Sequence, residues 1–334
     1  MIGKAALWLS LVALVLGLAT YAAFQLSPWP GAFVIRQLFD RDARKANAAL
    51  AARVPSDAVI ERNLAFGEGA LAGKLDVFFP RAAEGTDKLL PTIVWAHGGA
   101  WISGSSALIA NYLRILASCG FTVVGVDYTI APEAIYPTPV VQVNEALALL
   151  TRDGASLHVD ANALVLAGDS AGSQIVAEVA NLAAVPSYAE AVGVKPKFNL
   201  KQIKGLVLFC GAYDIGLANL DGSFGWFLRA ALWSYSGEKD FLEDRRFATL
   251  SVRQYVTADF PPSFISAGNS DPLRDQSIAF AKTLQDKGVS VETLFFPADY
   301  DPPLPHEYQL NLDSEAGREA LERAVAFIAA VTRH

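Results

Sequence analysis

The sequence has few of the residues that build disulfide frameworks or metal sites. Its 334 residues include two cysteines and four histidines, and no set of them has the spacing of a zinc site. Cys119 and Cys210 each lie in an apolar stretch, so we expect both to be buried as small hydrophobic side chains. The sequence therefore predicts no disulfide framework, no metal and no cofactor.

Charged residues are also scarce, at 18% of the chain, whereas apolar residues make up 52%. This balance allows a sizeable core and argues against disorder. The net charge is −7, and no cluster of lysine and arginine follows an aromatic stripe, so a nucleic-acid partner is not expected. The length suits one large α/β domain or two small ones, and the sequence does not indicate an oligomeric state.

One segment near the N-terminus has no charged residue at all. Residues 5–24 are dominated by Leu, Val and Ala, and a helical run of this length spans the hydrocarbon core of a bilayer. Lys4 supplies a short positive flank, and three aromatic residues lie where an interfacial belt would be, namely Trp8, Tyr21 and Trp29. We therefore predict membrane attachment through a single N-terminal span.

The alternative to an anchor is a cleaved signal peptide, which would make the protein secreted or periplasmic. The side of the membrane that the rest of the chain faces is also open. Four basic residues follow the span closely: Arg36, Arg41, Arg44 and Lys45. By the positive-inside rule they would hold the following domain in the cytoplasm, whereas a signal-like N-terminus predicts the opposite side. We divide the chain into an anchor or signal segment, 1–28, and one domain, 29–334.

The rest of the chain alternates between short apolar runs and helical stretches. Candidate strands lie at residues 75–79, 92–96, 122–127, 163–167, 205–210, 263–267 and 291–296. Candidate helices lie at residues 106–118, 139–151, 171–183, 275–286 and 314–331. Several strand candidates are apolar without alternation, as in parallel strands covered on both faces. The pattern predicts an open, doubly wound and mostly parallel sheet flanked by helices.

Two segments depart from this alternation. Residues 30–60 are rich in Ala and Arg and predict one or two amphipathic helices. Residues 213–259 are aromatic-rich and contain no clear strand. We interpret this second segment as a helical insertion that forms a lid over a site.

The strongest local motif is Gly168-Asp169-Ser170-Ala171-Gly172, which follows a candidate strand and opens a candidate helix. This context is the one required of a G-x-S-x-G nucleophile elbow. The sharp turn strains the serine backbone and lifts its oxygen above the sheet edge, at the positive end of the helix. A glycine-rich turn with an incidental serine would share the motif alone, but the strand–turn–helix context favours Ser170 as the nucleophile.

A second glycine-rich loop, His97-Gly98-Gly99-Ala100-Trp101, directly follows another candidate strand. Acyl transfer builds negative charge on the carbonyl oxygen, and losing one N–H donor to that charge costs about 3 kcal/mol. Glycine lets the backbone approach a substrate without an intervening side chain. We predict an oxyanion hole formed by the N–H groups of Gly98, Gly99, Ala100 and Ala171. His97 precedes the serine, so we expect it to anchor the loop rather than act as a base.

In hydrolases that carry a nucleophile elbow, the acid and the base of the triad follow the serine along the chain, first Asp and then His. Asp271 comes just after a candidate strand, where an acid would hold the base in the correct tautomer. His306 lies in a Pro-rich loop after the last candidate strand, whereas His158 precedes the serine. The rival acids are Asp275, Asp299 and Asp301. Order along the chain therefore favours Asp271 and His306.

At these residues the sequence resembles the hormone-sensitive-lipase family of esterases, over residues 70–330. The loop 97–101 resembles the family's HGGG-W loop, residues 168–172 match its GDSAG elbow, and residues 271–275 match its DPLRD turn. Residues 127–139 resemble its DYRLAPE segment and the prolines that follow. Four motifs in the right order are far more specific than any one of them.

The resemblance implies an α/β-hydrolase fold with oxyanion donors at Gly99, Ala100 and Ala171. It also implies a helical lid, for which residues 30–60 and 213–259 would be the counterparts. Two residues depart from the family pattern. Ala100 replaces the third glycine of the loop, which keeps the N–H but narrows the acyl pocket, and Ser173 replaces the glycine after the elbow.

Motifs and resemblance together predict a carboxylic ester hydrolase that forms a covalent acyl-enzyme and takes a small-molecule ester. Esters of short to medium acyl chains, or acetyl groups on a larger alcohol, are the expected substrates. Three alternatives stay open: an amidase or peptidase of the same fold, a non-catalytic small-molecule receptor, which would not need His306, and a membrane-anchored scaffold.

Overall fold

The structure is a computed structural model that describes residues 2–56, 59–222 and 224–333. Met1, the first residue of the predicted segment 1–28, and His334, the last residue of the predicted domain 29–334, lie outside the described residues. Residues 57 and 58 of the first predicted lid segment and residue 223 of the second also lie outside them.

The described residues contain eight strands, β1 to β8, at Val59–Phe66, Gly73–Pro80, Leu90–Ala96, Thr122–Asp127, Val159–Asp169, Ile203–Phe209, Ser263–Ala267 and Val291–Phe295. They form one sheet in the order β1-β2-β4-β3-β5-β6-β7-β8. The pairs β1–β2 and β2–β4 are antiparallel, and every other neighbouring pair is parallel. The predicted mostly parallel sheet is confirmed, and each of the predicted strands overlaps an observed one.

Nine α-helices in the described residues, α1 to α9, lie at Ile2–Leu26, Trp29–Leu50, Ala110–Ser118, Thr138–Asp153, Ala171–Ala184, Pro186–Val192, Gly225–Ser236, Arg274–Asp286 and Glu315–Val331. All five predicted helices overlap α3, α4, α5, α8 and α9. The amphipathic helix predicted within residues 30–60 is α2, and the aromatic-rich segment 213–259 contains α7.

The core lies on both faces of the sheet. Along β5, Leu164 and Leu166 belong to the cluster on one face, whereas Val165 and Ala167 belong to the cluster on the other. Strand side chains alternate between faces, so a strand covered on both sides needs an unbroken apolar run. This arrangement is the physical reason for the apolar runs without alternation that the sequence displays.

The sheet brings the candidate site residues to one edge. The loop 97–101 follows β3, Ser170 follows β5, Asp271 follows β7 and His306 follows β8. These four strands are parallel to one another, so their carboxyl ends meet at the same edge of the sheet. Residues that lie far apart in sequence can therefore converge on one site.

The N-terminal helix α1 differs from the others because it carries no charged residue after Lys4. Among the described residues, its stretch Ala6–Leu26 is long and apolar enough to cross a membrane, with a mean hydropathy of 2.1 over a window in which no residue is buried. A signal sequence would satisfy the same criteria.

One prediction about the cysteines is wrong. Cys210 is buried at the end of β6, but Cys119 is exposed just after α3, and both are free thiols. Cys119 follows the last residue of α3 and lies beside Gly120 in the exposed turn that leads to β4, so the apolar residues around it in sequence do not bury it.

Candidate active site

Ser170 occupies the turn between β5 and α5. Its backbone is strained, with φ 49° and ψ −119°, and its N–H donates to the carbonyl of Phe209 at 2.8 Å. A Cβ on Gly172 would overlap the carbonyl oxygen of Ala96, and a Cβ on Gly168 would lie 2.6 Å from the carbonyl carbon of Gly172. The strand and the helix thus cross too closely for any side chain at the two glycines, as the elbow motif predicts.

Ser173 also helps to fix this turn. Its hydroxyl oxygen lies 2.7 Å from the carbonyl oxygen of Gly168 and 2.8 Å from that of Phe209, and it donates to one of them. The serine that replaces the usual glycine therefore ties the first turn of α5 to the sheet, in a place where glycine would make no such bond.

The three residues proposed as a triad lie within hydrogen-bonding distance of one another. His306 Nε2 is 3.0 Å from Ser170 Oγ, and His306 Nδ1 is 2.9 Å from Asp271 Oδ1. Asp271 Oδ1 also accepts the N–H of Leu273 at 2.8 Å, which fixes the carboxylate. This is the geometry that a serine nucleophile, a base and an orienting acid require.

The surroundings of His306 favour its protonated form. Burial by itself lowers the pKa of His306, but the hydrogen bond with Asp271 and the charge of that carboxylate raise the pKa above its ordinary value. The Asp271 side chain is fully buried, so little solvent screens its charge from the imidazole. The same charge would stabilise the imidazolium that forms when the ring takes a proton from the serine.

The rival residues lie elsewhere. Asp275, Asp299 and Asp301 are exposed. His158 precedes the first residue of β5, at the end of the strand opposite to Ser170, where its Nδ1 lies 2.9 Å from the carbonyl of Lys88. Among the described acids and histidines, only Asp271 and His306 are thus joined to Ser170 in one chain of hydrogen bonds.

The loop after β3 has an unusual backbone that exposes N–H groups. Gly99 and Ala100 have φ 113° and 53°, and a side chain on Gly99 would collide with the carbonyl of Ser103. Neither N–H group has an acceptor among the described residues, and Ala171 is the first residue of α5, where N–H groups lack helical partners. These three N–H groups are available to an oxyanion.

Gly98 corrects one of the sequence predictions. Its N–H donates to Asp169 Oδ2 at 2.9 Å, so this donor is already occupied and cannot serve an oxyanion in this arrangement. His97 does anchor the loop, as expected. Its ring stacks on Tyr128 at 4.1 Å between centroids, and the Tyr128 hydroxyl donates to the His97 carbonyl at 2.7 Å. Burial lowers the pKa of His97, so this ring is neutral.

A pair of carboxyl groups beside the triad was missed by sequence reasoning. A Cβ on Gly98 would touch both Asp169 Oδ2 and Glu307 Oε1, so the two carboxyl groups face the same point. Burial and the charge of Glu307 raise the pKa of Asp169 to about 8, which favours the protonated form of the Asp169 carboxyl near neutral pH. Glu307 Oε1 also lies 3.9 Å from His306 Nε2.

A cavity of about 620 Å³ opens onto these groups. One wall carries Gly99, Ser170, His306 and Glu307, and the opposite wall is the inner side of α2, with Phe39, Ala43 and Ala46 among its lining residues. The volume is within the range of small-molecule sites, and the mixture of apolar wall and few polar groups is typical of them. Of the three residues with available N–H groups, Gly99 is among the residues that line the cavity.

Helices α2 and α7 are held against the loop after β3. Arg36 of α2 donates to the carbonyls of Ile102 and Ala131 at 2.7 and 2.8 Å and forms an ion pair with Glu133 at 2.7 Å. Tyr235 of α7 stacks on Trp101 at 5.0 Å. The two helices also contact each other, with the Phe39 and Phe227 rings 5.4 Å apart. Of the two helices, α2 also contributes residues that line the cavity.

One group of side chains at the site is of the kind that holds metal ions. Cys210, Asp271 and His306 place their ligand atoms within 4.8 Å of one another. Burial raises the pKa of the Cys210 thiol to about 11, so the sulfur keeps its proton, and His306 Nδ1 is already engaged by Asp271. A metal needs a thiolate and a free ring nitrogen, so these residues fit a metal poorly as they stand.

Comparison with known proteins assigns the chain to a family. A family model described as alpha/beta hydrolase fold matches residues 93–300, which is more than half of the chain. The chain therefore belongs to the alpha/beta hydrolase fold family, and the predicted fold is confirmed.

Related sequences carry consistent names. An esterase of Gibberella moniliformis is 28% identical over 232 residues, which cover 66% of this chain and 70% of the relative. An acetyl esterase of Salmonella dublin is 26% identical over 235 residues, which cover 67% of this chain and 69% of the relative. The prediction of an enzyme similar to carboxylesterases is confirmed at this level.

Solved structures share the architecture. Esterase B from Lactobacillus rhamnosis has a TM-score of 0.75 and 24% identity, covering 91% of this chain and 96% of that one. The hyperthermophilic esterase from the archaeon Pyrobaculum calidifontis has a TM-score of 0.72 and 23% identity, covering 95% and 98%. At this level of identity the likeness concerns the fold alone.

Proposed function

We propose that the protein is a carboxylic ester hydrolase of the hormone-sensitive-lipase type, with Ser170 as nucleophile, His306 as base and Asp271 as orienting acid. The observation that carries the proposal is the continuous hydrogen-bonded path from Ser170 Oγ through both nitrogens of His306 to Asp271. The esterase and acetyl esterase names of the related sequences support the reaction class.

The chemistry follows from the geometry. His306 Nε2 takes the proton of Ser170 as Oγ attacks the ester carbonyl, and the N–H groups of Gly99, Ala100 and Ala171 hold the oxyanion. The imidazolium then gives its proton to the leaving alcohol, which departs as the acyl-enzyme forms. Water, activated by the same ring, hydrolyses the acyl-enzyme and restores Ser170.

Short- to medium-chain acyl groups, or acetyl groups on a larger alcohol, are the substrates that we propose. Ala100 narrows the space beside the oxyanion hole, and it is 9% exposed and fixed in a strained backbone conformation. A cavity of about 620 Å³ is large enough for a drug-sized alcohol. We also propose that residues 30–60 and 213–259 act as a lid, which their packing around Trp101 supports.

The nucleophile is tested by Ser170→Ala, with p-nitrophenyl acetate as the substrate. We expect activity to fall by several orders of magnitude because loss of a triad nucleophile leaves only binding and oxyanion effects. His306→Gln should be nearly inactive as well, and its matched control, His158→Gln, should remain active. Retention of half the activity in the Ser170 variant, or an inactive His158 variant with an active His306 variant, would refute the assignment.

An amidase or peptidase on the same fold would use the same residues, so substrate comparison has to separate it from an esterase. We expect p-nitrophenyl esters to be turned over and aminoacyl anilides to be turned over far more slowly. Efficient anilide cleavage would favour the amidase. A protein that binds ester analogues without any turnover would be a receptor.

We propose that residues 1–28 anchor the protein in a membrane as a single span, with 29–334 as the hydrolase domain. The long apolar helix α1, no part of whose central window is buried, supports this proposal. Fractionation followed by intact-mass measurement tests it. A membrane-bound form of full mass agrees with an anchor, and a soluble form that has lost the segment shows a cleaved signal. Protease access in sealed cells then tells which side the domain faces.

A further inference from the structure

Large apolar side chains that are exposed concentrate on α1 and on the neighbouring helices α2 and α7 with their flanking residues. Beyond α1, most of them lie on α2 or around α7: Trp29, Phe33, Val34, Leu38, Phe39, Leu217, Phe224, Trp226 and Leu242. Elsewhere in the described residues they are Leu71, Leu89 and Ile135. We call the set Trp29, Phe33, Val34, Phe224 and Trp226 the outer lid face. A concentration of this kind on a protein surface marks a contact with a partner or with lipid.

The first two turns of α2 are apolar on the side that faces away from the protein. Gly31, Ala32 and Ile35 are buried, whereas Trp29 and Phe33, which lie one turn apart on the opposite side, are 50% and 62% exposed. A surface helix of a soluble protein would place polar residues there. The sequence of this helix therefore provides an apolar outer side as well as an inner one.

Beyond these two turns the outward side of α2 changes to charged residues of both signs. Arg41, Arg44 and Lys45 have side chains that are 58%, 65% and 71% exposed, and each is paired with an aspartate of the same helix, either Asp40 or Asp42. An apolar stretch with aromatic residues, followed by charged residues, matches the order of acyl chains, interface and water at the surface of a bilayer. A protein partner would not require this order along one helix.

The outer lid face is also joined directly to α1. Helix α1 ends at Leu26 and α2 begins at Trp29, so three residue steps separate them, which span at most about 11 Å. Lys239, just beyond α7, donates to the carbonyl of Gln25 at 2.9 Å and lies over the Trp233 ring. The α7 end of the face is thereby tied to the C-terminal end of α1.

From these observations we propose that the outer lid face rests on the surface of a lipid bilayer, next to the point where α1 enters it. The proposal rests on the proposed anchor. Trp29 and Trp226 would take the interfacial positions that tryptophan favours. Because the inner side of α2 lines the cavity with Phe39, Ala43 and Ala46, the cavity would then lie directly above the bilayer, and esters dissolved in lipid would reach Ser170 without crossing bulk water.

The test uses the full chain in phosphatidylcholine vesicles, with a nitroxide label on one introduced cysteine at a time. The background carries Cys119→Ser, because Cys119 is exposed, whereas Cys210 is buried and its thiol is unreactive. Phe33→Cys and Trp226→Cys report on the outer lid face. Leu14→Cys, at a residue 58% exposed in α1, reports on the anchor. Leu89→Cys, at a residue 47% exposed just before β3, is the matched control at the far end of the sheet.

Collisions with oxygen, which dissolves in lipid, and with a water-soluble nickel complex are measured for each label. We expect the labels at 33 and 226 to favour oxygen over nickel, as the label at 14 does, and the label at 89 to favour nickel. If the labels at 33 and 226 behave like the one at 89, the proposal is overturned, whether or not α1 is inserted. Protection from both reagents would mean that protein covers the face, and would overturn it too.

The label at 14 separates the proposed membrane anchor from the proposed contact of the outer lid face with the bilayer. Oxygen access at 14 together with nickel access at 33 and 226 keeps the anchor and rejects the docked face. Hydrolysis of p-nitrophenyl acetate by every labelled variant is measured in parallel, because none of the labelled residues lines the cavity. Loss of that activity in the unlabelled parent would contradict the proposed function and would leave the docking measurement unaffected.

Discussion

Replacing Glu307 by glutamine tests whether the carboxyl pair beside the triad takes part in catalysis. Glu307 Oε1 lies 3.9 Å from His306 Nε2, the nitrogen that gains a proton in the mechanism that we propose. A negative charge at that position stabilises the imidazolium and therefore the transition state. Glutamine keeps the size of the side chain and its hydrogen-bonding oxygen but removes the charge.

The size of the effect follows from Coulomb's law. Two unit charges about 4 Å apart attract each other by about 4 kcal/mol at an effective dielectric constant of about 20. The side chains of His306 and Glu307 are 31% and 32% exposed, so solvent screens the pair. We therefore reduce the figure to about 1 kcal/mol, which is roughly fivefold in rate and about 0.7 pH units in the titration of the histidine.

The assay is the pH dependence of kcat/KM for p-nitrophenyl acetate. In Glu307→Gln we expect the plateau at high pH to fall roughly fivefold and the midpoint of the rise to move down by about 0.7 pH units, because the protonated ring loses a stabilising charge. Asp299→Asn, an exposed acid in the preceding loop, is the matched control and should change neither. A lower plateau with an unchanged midpoint would show that the variant has a packing defect. An unchanged pH profile would show that the charge of Glu307 does not affect the pKa of His306. Either result refutes the reasoning.

Three further predictions follow from single residues. Asp271→Asn should reduce kcat by about 10⁴-fold because the base loses its tautomer, whereas Asp275→Asn should not, and steady-state kinetics that show equal losses would contradict this. Because the pKa of His306 is raised, activity should rise with pH through a midpoint above 6.5, and a pH–rate profile with a midpoint at or below 6.5 would argue against it. Burial raises the pKa of Glu178 from 4.5 to about 8. The stability that this group contributes is therefore fully present below pH 4.5 and is lost as the pH rises through about 8. Glu178→Gln should remove this pH-dependent loss, and thermal unfolding of both proteins across the same pH range measures the difference.

The nucleophile turn and the strand order could be predicted because both are fixed by short-range constraints. Gly168 and Gly172 are required where a strand and a helix cross, and a motif of five residues carries that requirement. The pairing of Ser170 with His306 followed from topology, since loops after parallel strands meet at one edge. In both cases the sequence indicates the local backbone geometry and the order of the residues along the chain. The parallel sheet then brings residues that are distant in sequence close together in space.

Other features depend on contacts that no local pattern encodes. Strand β1 lies at the edge of the sheet, and most of its residues are not buried, so it has neither an apolar run nor a regular alternation. The occupied N–H of Gly98 depends on Asp169, which comes from a different strand. Glu307 follows the base directly in sequence, but its closeness to Asp169 arises from the turn of the loop, in which Glu307 has φ 57°. Each of these needs the assembled sheet before it can be recognised.

The positions of residues with a strained backbone also show that the assembled sheet fixes the geometry of the site. Six residues other than glycine have positive φ in the described residues, and five of them border the site: Ala100, Trp101, Ser170, Cys210 and Glu307. Such backbone conformations cost on the order of 1 kcal/mol or more each and persist only where the surroundings fix them. Here the surroundings are buried bonds, such as the Cys210 N–H to the Ser266 carbonyl at 2.8 Å and the Ser170 N–H to the Phe209 carbonyl. Because these bonds fix the strained backbone before any substrate binds, the proposed oxyanion donors and the proposed base would not need to reorganise during the reaction. This is the condition under which electrostatic stabilisation of the transition state is most effective.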